Sequence, residues 1–330
     1  MRASDAAANM SNWRWVAVPV VLIWIISGTA DAAILLDTDV VERTIVFISY
    51  PVRYDDGKEA MSVGTGFLVA VPLQSDPSKN HRLLVTARHI IDPAWKSCRE
   101  KNPARAFLRL NLKHPGPDGI GVTSVPLDLM KDGAPTYVTG GERDDVAVLR
   151  LPASLPVDTY DLKWTAISMF ATQAEAKRLA ISDGVVSAGL LPDFPGVRRN
   201  YPLFKFGQIS NIPREPIAIP CRDRAGALML DAKGTTLQRE ADVWLLAIAL
   251  VGGSSGSPVF SSPPGARGAG EGMTFRAQIG PGRDMLIGVQ SLALDGSVAG
   301  MTPIEVVFDV ISKMSLPDAD LFRGIRPARR

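Results

Sequence analysis

A serine framed by glycines, in the run Gly252-Gly253-Ser254-Ser255-Gly256-Ser257-Pro258-Val259-Phe260, is the part of this 330-residue chain best suited to chemistry. Glycine lets a backbone turn sharply and aim its N–H groups at the oxygen that becomes negative when a carbonyl is attacked. The hydroxyl itself needs a base to take its proton, and histidine, which titrates at about 6.5 when unperturbed, suits that task near neutral pH. The chain holds three histidines, His81, His89 and His114, and all precede the serines. Two hydrolase patterns fit the letters. Gly252-x-Ser254-x-Gly256 fits the elbow in which an acid and then a histidine follow the serine, and that order fails here. Gly253-x-Ser255-Gly256-Ser257-Pro258 fits the order His, Asp, Ser, which the chain can meet.

His89 ends the run Leu83-Leu84-Val85-Thr86-Ala87-Arg88-His89, which places a base at a strand end. Asp144 and Asp145 stand directly before the apolar stretch Val146-Ala147-Val148-Leu149, and Asp145 is the preferred orienting acid, with Asp144 as the alternative carboxylate. The separations, 56 from His89 to Asp145 and 110 from Asp145 to Ser255, require the fold to assemble the three. His81, in a polar stretch, and His114, before Pro115 in a Gly/Pro turn, read as solvated loop residues. Ser257 reads as support for the loop.

Four segments in order, Gly64-Thr65-Gly66-Phe67-Leu68-Val69, Val85-Thr86-Ala87-Arg88-His89, Asp145-Val146-Ala147-Val148-Leu149 and Gly253-Ser254-Ser255-Gly256-Ser257-Pro258, resemble the trypsin-like (chymotrypsin-fold) serine peptidases in their bacterial exported form. The resemblance covers about Thr44 to Ser315. It implies an all-β fold of two six-stranded antiparallel β-barrels with a C-terminal α-helix. It also implies Ser255 as nucleophile, His89 as general base, Asp145 as its orienting acid, and the N–H groups of Gly253 and Ser255 as the oxyanion hole. By the same resemblance Ala249 and the strand Gln290-Ser291-Leu292-Ala293 line the substrate site. Neither residue that confers charged specificity in relatives is present there: Ala249 stands where trypsins carry an acid, and Gln290 where glutamate-specific relatives carry a histidine. Small or apolar side chains are therefore the expected preference. Arg43-Thr44-Ile45-Val46 superficially resembles a zymogen cleavage site, but Ser254 replaces the aspartate that would receive a new amino terminus, so cleavage-driven activation is not expected.

The elements that must position these residues are short β-branched runs separated by Gly/Pro turns. Thr44–Tyr50, Gly66–Val71, Leu83–Thr86, Phe107–Leu112 and Val146–Leu151 are expected as strands of a first barrel over 33–155, carrying His89 and Asp145. Gly184–Leu190, Leu203–Ser210, Val243–Leu250, Pro258–Phe260 and Met285–Ser291 are expected in a second barrel over 156–300, carrying Ser255. Ile304, Val307, Phe308 and Ile311 fall at helical spacing and predict a closing helix, followed by a basic tail, within 301–330. The Gly/Pro-rich stretch from Ser261 to Arg283 reads as a mobile loop beside the nucleophile. No peptide-binding domain is expected after the helix.

A formal net charge of +2 argues against a dedicated nucleic-acid surface, although Arg323, Arg326, Arg329 and Arg330 make the tail basic enough for weak contact with an anionic membrane. The expected partner is a protein or peptide substrate. Arg2 and Arg14, the apolar run Trp15–Ile26 and the small residues around Ala30 and Ala32 read as a secretory signal peptide over 1–32. That run, broken by Pro19, is about a dozen residues where a spanning helix needs about 20. Export to the periplasm or medium is expected, an uncleaved membrane anchor being the alternative. Cys98 and Cys221, one in each half, do not fit the usual within-barrel bridges of the resembling family, and sequence does not say whether they meet. No cysteine or histidine pair has metal-ligand spacing, so neither metal nor cofactor is expected. A catalytically silent binding module and an esterase using the same three residues are the competing functions.

Overall fold

A computed structural model describes residues 37–321 apart from 54–58, 96–97, 99–101, 192–193, 223–226, 250–251, 262–283 and 296. The signal-peptide segment, the basic tail and all but the first residue of the expected 261–283 loop lie outside the described residues. No helix among the described residues is long and apolar enough to cross a membrane.

The described chain opens with helix α1 (Thr38–Thr44), capped by the Asp37 carboxylate, which accepts from the Val40 N–H at 3.2 Å. A first sheet follows, built from β1 (Ile45–Arg53), β2 (Glu59–Pro72), β3 (Asn80–Thr86), β4 (Arg105–Asn111) and β5 (Val122–Asp128). After a small separate hairpin, β6 (Met130–Lys131) and β7 (Ala134–Pro135), the sheet is completed by β8 (Tyr137–Thr139), β9 (Ala147–Arg150) and β10 (Thr165–Ala166). Its order is β5-β4-β1-β2-β3-β9-β8, with β10 pairing β2 in parallel to make eight strands. Two short helices lie outside it, α2 (Arg88–Ile91) directly after β3 and α3 (Gln173–Ala176), which is closed by a Thr172–Glu175 capping box.

Strand β3 shows why this sheet is stable. Leu83, Leu84 and Val85 are all fully buried, so the strand is covered on both faces. Leu83 and Val85 join Phe67, Val69 and Phe170 in one core, and Leu84 packs with Val46, Ile48 and Leu68 in another. Burying apolar surface of this kind stabilises by roughly 25 cal/mol per Å².

The second assembly comprises β11 (Gly184–Gly189), β12 (Leu203–Asn211), β13 (Ile217–Pro220), β14 (Gln238–Ala241), β15 (Trp244–Ile248), β16 (Pro258–Ser261), β17 (Met285–Asp295) and β18 (Val298–Pro303). Six of these close into an antiparallel barrel in the order β11-β12-β15-β18-β17-β16, while β13 and β14 form a separate hairpin. Helix α4 (Ile304–Lys313) buries Ile304, Val307, Val310 and Ile311. The all-β fold with a closing helix is as the sequence implies. The strand count differs in the first assembly, an eight-stranded sheet in place of six, because the short strands β8 and β10 add to it.

Two local readings change. His81 is not a solvated loop residue: it lies in β3, is buried, donates from Nε2 to the Pro317 carbonyl at 2.7 Å and accepts at Nδ1 from Arg150 at 3.2 Å. The covering segment comes from 236 residues further along the chain, which local sequence does not display. Cys98 and Cys221, left open by the sequence, are bonded, joining the segment after α2 to the residue after β13.

Candidate functional site

Helix α2 carries His89 immediately after β3, and it presses against β2. A Cβ on Gly64 would lie 2.7–2.9 Å from three side-chain atoms of Ile90, so only glycine leaves room for this helical turn. Asp145 sits just before β9, whose pairing with β3 places Ala147 opposite Thr86. The sheet thereby brings together two residues 56 positions apart.

Asp145 has no exposed surface, and both of its oxygens are engaged by His89. Oδ1 accepts the His89 backbone N–H at 3.0 Å, and Oδ2 accepts the ring Nδ1–H at 2.8 Å. Burial by itself would raise the carboxyl. The His89 ring, its hydrogen bonds and the nearby Arg239 guanidinium outweigh that and hold Asp145 below its usual value. With Nδ1 donating, the free lone pair of the neutral imidazole is on Nε2. Asp144 is a turn residue that accepts from Gly141 N–H.

The serine run forms a tight loop before β16. Gly253 and Gly256 have φ of +82° and +88°, conformations that side chains other than glycine rarely adopt. At Gly256 a Cβ would also stand 1.9 Å from the Thr65 carbonyl oxygen. Thr65, buried in β2, ties down this loop: its N–H donates to the Ser255 carbonyl at 2.8 Å and its Oγ1 donates to the Gly253 carbonyl at 2.8 Å. The same Oγ1 accepts from Leu190 N–H at 2.8 Å, and Thr86 Oγ1 donates to the Thr65 carbonyl at 2.7 Å. Strand β17 holds the other side, Gly256 N–H donating to the Gln290 carbonyl at 2.7 Å and Gln290 N–H to the Ser257 carbonyl at 2.8 Å. Among the described residues no hydrogen bond engages the N–H of Gly253 or of Ser255, and none joins Ser255 Oγ to the His89 ring. Ser257 is fully buried with its hydroxyl against Gly189, so it offers no rival hydroxyl to a substrate.

Of the residues expected around the substrate, Ala249 is exposed just beyond β15. Gln290 and Ser291 are buried in β17, as is Leu292, which packs with Trp95, Ile219 and Val243, and Ala293 continues the strand. Trp95 stacks between the guanidinium groups of Arg88 and Arg239, at 5.1 and 4.8 Å from its ring centre. Among the described residues no group of three His, Cys, Asp or Glu side chains could hold a metal ion.

The residue that sequence reasoning missed is Lys205. It sits on β12 opposite Ser187, is 6% exposed, and donates from Nζ to Ser254 Oγ at 2.6 Å and to Gln290 Oε1 at 3.3 Å. Gln290 Oε1 also accepts from Ser187 Oγ at 3.0 Å. Burial pushes the Lys205 ammonium down to about 8. Its one sequence signal was period: a lysine two residues before Gly207 and four before the buried Ile209, on the inward side of a strand.

No protein-family model matches the chain, and no curated protein matches it. Solved structures do. The crystal structure of Deg5 is 14% identical, covering 83% of this chain and 89% of its own, with a TM-score of 0.43. The MamO protease domain from Magnetospirillum magneticum is 13% identical, covering 84% of this chain and 98% of its own, with a TM-score of 0.43. The active form of the Rv3671c protease from M. tuberculosis is 15% identical, covering 88% and 85%, with a TM-score of 0.40. The chain folds as an all-β protein with a closed six-stranded barrel and a closing helix.

Proposed function

We propose that the chain is a serine endopeptidase in which Ser255, His89 and Asp145 act together. What supports this most directly is the His89–Asp145 pair: a buried carboxylate holding both the backbone N–H and Nδ1–H of one histidine serves to fix that ring's tautomer and orientation. Nε2 takes the Ser255 Oγ proton as Oγ bonds to the substrate carbonyl carbon, and Asp145 stabilises the imidazolium that results. The oxyanion accepts from the Gly253 and Ser255 N–H groups, each such donor contributing about 10²–10³ in rate. The proton on Nε2 then passes to the leaving amine as the C–N bond breaks, and water repeats the sequence to release the acid and restore Ser255.

A latent form of the same site is the second reading, favoured by one observation: Ser255 Oγ and the His89 ring are not hydrogen bonded. Catalytic hydrogen bonds commonly tighten only when substrate is bound. A fluorescent fluorophosphonate applied to the purified chain and to Ser255→Ala separates the two. Labelling at Ser255, absent from the variant, supports an activated nucleophile, and no labelling from pH 6 to 9 favours the latent or silent form. Turnover of a peptide against a simple ester then separates peptidase from esterase.

We infer export as well, from the apolar run Trp15–Ile26 with the small residues after it, and from the Cys98–Cys221 bridge, a bond that persists in oxidising compartments. Sequencing the amino terminus of the mature protein tests this.

A further inference from the structure

Lys205 is a buried cation whose partners near the nucleophile are all neutral. Its ammonium contacts Ser254, the residue next to Ser255, and Gln290, whose backbone clamps the same loop. The remaining neighbour in this cluster, Ser187, is a hydroxyl that occupies Gln290 Oε1. Among the described residues no carboxylate pairs with Lys205. Burying a charge without a counter-ion is unfavourable, and strands of a barrel core ordinarily place apolar side chains at such positions, as β12 does at Ile209. A charge kept at this place, next in sequence to the candidate nucleophile, is held by two neutral acceptors and leaves room for a counter-ion to act on it.

We propose that Lys205 is a specificity-determining residue that selects substrates with a carboxylate side chain, glutamate or aspartate, on the residue donating the scissile carbonyl. The inference rests on the endopeptidase reading of Ser255. That residue's Cα is bonded to the carbon Ser255 attacks, and a glutamate side chain extends from it through three carbon–carbon bonds of about 1.5 Å, which suits a cation fixed beside Ser254. The substrate carboxylate would accept from Nζ in a desolvated, charge-assisted hydrogen bond. Burial lowers the ammonium only to about 8, so it remains mostly charged at neutral pH. The preference for small or apolar side chains inferred from Ala249 and Gln290 alone is replaced by this one, because the charge comes from β12.

The test is a set of peptides differing only at the residue before the cleaved bond, Glu, Asp, Gln, Ala, Leu or Lys, given to the wild type, Lys205→Met and Lys205→Arg, with fluorophosphonate labelling of each protein in parallel. The expected result is a wild-type kcat/KM for Glu about 100-fold or more above that for Gln, lost in Lys205→Met, largely kept in Lys205→Arg, with labelling rates alike. Equal cleavage of Glu, Gln and Ala by the wild type overturns the proposal. So does a Lys205→Met that slows every peptide and the labelling by one factor, which makes Lys205 a strut for the loop. Normal labelling without acidic preference overturns this inference and leaves the peptidase reading standing, whereas absence of both labelling and cleavage overturns both.

Discussion

The Thr65 amide donates to the Ser255 carbonyl at 2.8 Å, so the strand next to the one that delivers His89 also holds the backbone of the serine. The hydroxyl of the same threonine bridges Leu190 N–H and the Gly253 carbonyl. Thr65→Val keeps the volume and removes both hydroxyl bonds, leaving the buried Leu190 N–H and the half-buried Gly253 carbonyl unpaired. It is expected to destabilise by about 1–3 kcal/mol and to slow fluorophosphonate labelling, with Thr65→Ser restoring most of both. Thermal unfolding and labelling rate measured side by side check it.

Asp145→Asn preserves shape but offers an amide to His89 Nδ1, favouring the tautomer with the proton on Nε2. Acylation is expected to fall by about 10³–10⁴, as in the trypsin precedent for this kind of change. The pH dependence of stability follows from the direction of its shift. Because the folded carboxyl lies below its ordinary value of about 3.9, its contribution is present above that pH and is lost as pH falls through the lower folded value. Unfolding measured from pH 5 downward should show a steeper acid loss in wild type than in Asp145→Asn.

Lys205 shares the direction with pH, but its charged form carries a penalty where that of Asp145 carries a gain. Its folded ammonium lies at about 8, beneath the value of 10.5 for a free lysine, so between these the unfolded chain binds a proton that the folded one does not. Stability attributable to Lys205 therefore rises with pH across that window, and below about 8 the full penalty is present. Lys205→Met is expected to stabilise at pH 7 by about 3 kcal/mol, with the difference shrinking toward pH 10. A gap between wild type and variant that does not change with pH would count against it.

Gly256→Ala combines a φ of +88° with a Cβ 1.9 Å from the Thr65 carbonyl oxygen, so the loop must move to accept it. We expect labelling at Ser255 to vanish while the chain remains folded, as judged by far-UV circular dichroism and intact-mass labelling.

Reduction of Cys98–Cys221 opens a link across 123 residues, for which the chain-entropy model gives about 4–5 kcal/mol. The bridge lies close in sequence to Trp95, stacked between Arg88 and Arg239, so tryptophan fluorescence should shift along with the melting temperature. Unfolding with and without a reductant, against Cys98→Ser, checks it.

His89, Asp145 and Ser255 were legible as candidates because side-chain type and order restrict the possibilities before any geometry is known, and the structure brings the first two together. The central strands were legible because uninterrupted apolar runs such as Leu83–Val85 have one reading. Strand β5 escaped notice because most of its residues are exposed or half-buried, so it lacks a burial signal. Lys205 was missed for another reason: despite its spacing from Ile209, a lysine beside Phe204 and Phe206 reads as an outward charge until β12 is paired with β11 and Ser254 is folded against it. The cysteine pair and His81 share that cause, since their partners lie 123 and 236 positions away.

The bonds around His81 set an order of events in time. Besides Pro317 on His81, Gln74 N–H donates to the Asp318 carbonyl and Asp320 N–H to the Pro72 carbonyl, so the β2–β3 turn is closed by chain synthesised about 245 residues later. Contacts of such separation form slowly. During translation at about 5–20 residues per second, His89 and Asp145 would wait at least about eight seconds before the sheet presenting them could be sealed. A nascent chain interrupted between residues 256 and 316 would therefore carry all three candidate residues and still lack the clasp on the strand that leads to His89.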